Sequence, residues 1–147
     1  MALKRTTTSK QIDEFIAASI RQKEMQIAKD FAYVGEKCVK EARLNGSYAD
    51  QTGNLRSSIG YVVANDGEIC YGSNFETVKS GSFGSSTGES YVRQLLSENN
   101  KGIVLIVVAG MNYAKLVSAR GRDVLDSAEI LADKLVPKML RALNKNA

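Results

Sequence analysis

From residue 9 to residue 43, apolar side chains recur at spacings of three, four and seven: Ile12, Phe15, Ile16, Ile20, Ile27, Phe31, Val34 and Cys38. That period gathers them on one side of an α-helix. Thr8 followed by Gln11 fits a capping box. Lys37, Lys40 and Arg43 suit the negative pole of the helix dipole, and Asn45-Gly46 stops the run. Such a rod is about 50 Å long, more than a compact domain of 147 residues needs. Its apolar side therefore has two readings: ordinary core packing, or packing in part against another copy of the chain.

The rest of the chain supplies a small sheet and further helices. Residues 54–60 read as a helical turn capped by Thr52 or Asn54. Ile59 to Ala64 and Glu68 to Ser73 read as two strands joined at Asn65-Asp66-Gly67, a strong hairpin signal. Residues 74–88 lie in a Ser/Gly-rich stretch that reads as a flexible loop, either a linker or an arm ordering against a neighbour. It is neither a Walker motif nor a dinucleotide fingerprint. A short helix over 89–99 turns Tyr91, Leu95 and Leu96 inward. "IVLIVVA", 103–109, is apolar on both faces and β-branched, so it is expected as the central, most buried strand. Asp126 with Glu129 suggests a capping box opening a helix to about Asn144. Ile130, Leu131, Leu135, Met139, Leu140 and Leu143 form its apolar side, and Pro137 kinks or divides it. The expected class is α+β: a small, mainly antiparallel sheet, hairpin plus central strand, packed by a long N-terminal helix and a C-terminal helix. The expected organisation is one domain, 1–147, with a flexible tail at 1–8.

Composition narrows the chemistry. The chain has no histidine, which removes imidazole bases, Ser-His and Cys-His pairs and most transition-metal sites. Two distant cysteines, Cys38 and Cys70, fit buried free thiols in a reducing compartment. The N-terminal segment is too polar for a signal peptide, and the run Ile103 to Gly110 is too short to span a membrane. The expectation is a soluble protein folded in the cytoplasm. A net charge of +4 is mild, and no basic stripe with interleaved aromatics stands out in the sequence.

Two segments carry a resemblance. In "TGNLRSSI", with its preceding acid, stand Asp50, Thr52, Gly53, Leu55, Arg56, Ser58 and Ile59. After the apolar strand come Tyr113, Ala114 and Val117 in "GMNYAKLVSARGRDVL". Together they resemble the neck or tail-completion (head–tail joining) proteins of long-tailed bacteriophages. Ser118 stands where that family often has Glu, and Gly121 falls one residue late. The resemblance implies a non-catalytic structural virion protein without cofactor or metal. Copies would form a ring joining the head connector to the tail tube, meeting head-closure and tail-terminator proteins and touching packaged DNA. It also implies assembly in the host cytoplasm, residence in the virion neck or tail, and no membrane partner.

Within that frame, Asp50, Thr52 and Gly53 are expected to build a turn. Leu55 and Ile59 plug the core while Arg56 projects from the opposite side. Arg56, Tyr113, Arg120, Arg122, Phe75 and Phe83 are candidate subunit or partner contacts; Tyr113 also reads as a core-edge residue. Two other functions remain open. Asp123, Asp126 and Glu129 would serve a carboxylate hydrolase, although they equally suit the start of a helix. Arg120, Arg122, Lys134, Lys138 and Arg141 would serve a DNA-binding or other non-catalytic interaction module.

Overall fold

The computed structural model describes residues 2–4 and 6–145. Of the expected tail, residues 1 and 5 lie outside the described residues. Helix α1 runs Ser9–Asn45. Its capping box is present: the Gln11 amide donates to Thr8 Oγ1, and the Thr8 amide donates to Gln11 Oε1. One turn, α2 (Asn54–Ser57), leads into β1 (Ile59–Asn65). Asp66 and Gly67 both take positive φ, which makes the two-residue turn of a tight hairpin. The chain returns as β2 (Glu68–Gly72). Then follow α3 (Ser82–Glu98), β3 (Ile103–Ala109), α4 (Ala114–Ala119) and α5 (Asp126–Lys145). The α+β class expected from the pattern is the observed one.

The sheet is antiparallel in the order β2-β1-β3. β1 is therefore the central strand, and β3 is an edge strand, against expectation. Alternation along β1 divides the core. Ile59, Tyr61 and Val63 face α1 and α5, joined by Leu105 and Val107 of β3. Val62 faces the other way with Val108, Phe75 and Val92 of α3. β3 is apolar because helices cover both of its faces, a property that says nothing of how many strands flank it.

Further expectations are revised. The Ser/Gly-rich stretch is helical from Ser82, so α3 begins seven residues before the expected start at Glu89. On α3, Val92 and Leu96 are buried while Tyr91 is exposed. The capping box at the start of α5 is absent; Asp123 instead accepts from the Ser127 amide through Oδ1. On α5, Ala128, Ala132, Leu135, Val136 and Met139 meet the core, whereas Ile130 and Leu140 are exposed. Pro137 sits within the continuous helix. Cys38 is buried as expected; Cys70, on β2, is exposed.

α1 and α5 run antiparallel. Cys38 Sγ donates to the Ala128 carbonyl. The loops at their ends are tied by Ser47 and Asp123: the Ser47 amide donates to the Asp123 carbonyl, and the Asp123 amide to Ser47 Oγ at 2.7 Å. No helix among the described residues is long and apolar enough to cross a membrane.

Candidate functional site

The polar elbow after α1 is a closed hydrogen-bonded unit. Asp50 is buried. Its Oδ1 accepts from the Gly53 amide at 3.1 Å, and its Oδ2 from the Arg56 amide at 3.2 Å. Thr52 Oγ1 accepts from the Asn54 amide. Gly53 has φ +81°, and a Cβ there would overlap the Val78 carbonyl oxygen. Only glycine meets both demands. The turn role expected of Asp50, Thr52 and Gly53 is therefore visible atom by atom.

Arg56 departs from its expected course. Its guanidinium folds back onto the end of α1 rather than projecting away. Nε donates to the Arg43 carbonyl at 3.0 Å and Nη2 to the Gly46 carbonyl at 3.3 Å. Nη1 lies 3.7 Å from Asp50 Oδ2, and the group sits 4.7 Å over the Tyr48 ring. A cation thereby satisfies carbonyls that the helix terminus leaves without partners. Arg43 performs the matching task for the strand. Its Nη2 donates to the Ile59 and Glu76 carbonyls, and burial holds its pKa below the usual arginine range.

Tyr48 lies beneath Arg56 in a cluster with Leu55, Met111, Ala114 and Val124. Burial pushes its hydroxyl up to about 12, and that hydroxyl has no hydrogen-bond partner among the described residues. Tyr113 packs against the same cluster; burial, then the charge of Asp50, raises its pKa. Sequence reasoning gives Arg43 only a helix-end charge and Tyr48 no role. The signal available is position alone, since both flank the helix stop at Asn45-Gly46.

The elbow also anchors α3. Asn54 Oδ1 accepts from the Gly84 amide, and Ser57 Oγ accepts from the Val78 amide at 2.7 Å. Gly81, Gly84, Ser85 and Gly88 are buried at spacings of three and four. A Cβ on Gly84 would overlap the Asn54 carbonyl oxygen, and one on Gly88 would press on Phe75 and the Ser58 carbonyl. Small residues here permit backbone contact between helices; they do not loosen the chain.

Phe75, expected at an interface, is core. Phe83 is 66% exposed, so the two aromatics divide between inside and outside. Arg120 is exposed, while Arg122 Nη1 donates to the Ser47 carbonyl at 3.3 Å. Asp123 is engaged as the cap of α5, and Asp126 and Glu129 are exposed in its first turn.

An exposed apolar stripe runs along the first half of α1. With 37 residues, the helix is about 55 Å long. Strands of seven residues span only about 23 Å. No residue of α1 before Ala28 is buried. Ile12, Phe15, Ile16 and Ile20 are 36%, 74%, 50% and 53% exposed. The apolar stripe thus continues past the sheet that its second half covers. No protein-family model, curated protein or solved structure matches the chain.

Proposed function

We propose that this chain is a structural protein of the head–tail junction of a long-tailed phage, a neck or tail-completion protein without catalytic turnover. Several copies form a ring between the head connector and the tail tube, and the chain resides in the virion neck or tail. The projecting half of α1 carries the reading. A lone monomer gains nothing by holding four large apolar side chains in water, whereas a neighbouring copy or tail partner would bury them. The resemblance at Asp50–Ile59 and Tyr113–Val117 supports it, because these residues act as props. They lock α1, α3 and the sheet into one body, the property required of a joint that transmits load. Ring closure then needs heterologous contacts that return on themselves. Phe83 and Arg120 remain available as outward contacts. Light scattering and negative-stain imaging of the purified protein, alone and with its tail partners, test the proposal. Rings or higher oligomers are expected. A chain that stays monomeric in every mixture would overturn it.

A further inference from the structure

The second half of α5 gathers three of the cations noted in the sequence, Lys134, Lys138 and Arg141, with Lys145 on one flank. Lys134, Lys138, Arg141 and Lys145 follow one another at spacings of four, three and four. On a helix that spacing places them within an arc of about 60°. All four are exposed, and none makes a side-chain ion pair among the described residues. The acids of α5, Asp126, Glu129 and Asp133, all precede the stripe, and none follows it to the end of the chain.

We propose that this flank of α5 binds the phosphate backbone of duplex DNA without reading its sequence. The stripe covers about 16 Å of helix length, against one phosphate per about 3.4 Å of axis on each DNA strand. Several phosphates thus fall within reach of the four flexible cations. α5 contains no aromatic residue, which disfavours single-strand binding by base stacking. Its core side is occupied through Ala128, Leu135 and Met139, and the two large apolar side chains it leaves exposed, Ile130 and Leu140, stand too far apart along the helix to make the continuous apolar face that a lipid surface takes. A flank offering cations alone, on a helix anchored by its other side, fits a uniform polyanion. The proposal rests on and deepens the junction reading, in which a ring between the head connector and the tail tube meets the packaged DNA.

Fluorescence anisotropy of the full-length protein with a labelled random-sequence duplex, titrated from low to physiological salt, tests it. Light scattering on the same samples reports the oligomeric state. Wild type is expected to bind with log K falling linearly in log salt. Replacing all four residues by Gln lowers the slope by about 0.9 for each phosphate no longer neutralised, up to about 3.6 per bound subunit. A Lys40→Gln/Lys115→Gln control keeps the slope, and circular dichroism shows all three proteins folded. An unchanged slope in the fourfold variant overturns the proposal. So does an absence of duplex binding at low salt, or binding to anionic vesicles without binding to duplex. Rings that do not bind DNA sink this inference and leave the junction reading standing; monomers that do bind it have the reverse effect.

Discussion

Replacing Arg56 by alanine removes the cation that ends α1. Its two charged hydrogen bonds go to carbonyls of Arg43 and Gly46. Such bonds are worth about 1.5–3 kcal/mol each where water is excluded. Here the side chain is 24% exposed, and water can reach carbonyls left by a truncated group, so about 1 kcal/mol each is the fitting figure. The stacking on Tyr48 adds about 1 kcal/mol. The Asp50 contact is long, at 3.7 Å, and that buried carboxylate keeps the Gly53 and Arg56 amide donors after truncation, so it adds only about 0–1 kcal/mol. The total is about 3 kcal/mol, or a fall of roughly 6–12 °C in Tm for a chain of this size. Arg56→Lys keeps the charge but loses the fork, and should recover about half. Urea unfolding followed by far-UV circular dichroism measures both. Because every partner lies within the chain, the loss must be independent of protein concentration. A change below about 0.5 kcal/mol, or one that vanishes on dilution, would show that Arg56 acts elsewhere, such as against a neighbouring subunit.

Other perturbations follow from the same geometry. Gly53→Ala meets both a left-handed φ and the Val78 carbonyl, so a loss of at least about 2 kcal/mol is expected in the same urea assay. Gly84→Ala raises helix propensity by about 1 kcal/mol, yet it should lower Tm because its Cβ overlaps the Asn54 carbonyl. Tyr48 titrates near pH 10 when unfolded and near 12 when folded. Its neutral form is thus favoured in the fold: that stability is complete below pH 10 and is lost as pH rises towards 12. Tyr61, whose pKa is raised by burial and by its bond to Glu36, loses stability in the same direction. Tyr48→Phe removes a hydroxyl without a partner, and should be neutral or stabilising in thermal scans while weakening the alkaline transition.

Periodicity is the legible part of the chain. The 3.6-residue repeat of α1, its capping box and the Asp66-Gly67 turn are local devices, and each forms as its residues dictate. Sheet order is not legible. The apolarity of 103–109 reports two covered faces, whereas the centre of the sheet is β1, which interrupts its apolar run with Gly60. Composition misleads at residues 80–88 because serine and glycine serve flexible chains and close helix packing equally. The difference lies in their spacing, with Gly81, Gly84 and Gly88 on one side of α3. Arg56 stands out in the sequence, yet its direction in space does not follow from it. A one-turn helix followed by a strand returns it to the end of α1, a tertiary consequence that no local pattern encodes. Lys134, Lys138 and Arg141 are legible in the sequence as cations near its C-terminal end, but their alignment with Lys145 on one flank follows only from the helix, because apolar residues separate them along the chain.

The central claim is that the projecting half of α1 exists to be covered by another molecule of the assembly. Native mass spectrometry of wild type beside Ile12→Ser/Phe15→Ser/Ile16→Ser/Ile20→Ser, alone and with the tail partners, tests it most directly. These side chains lie outside the buried core, so the variant should keep the cooperative unfolding of the core while wild type assembles and the variant remains monomeric. A wild-type chain that is monomeric under every condition, or a variant that assembles as well as wild type, would contradict the account.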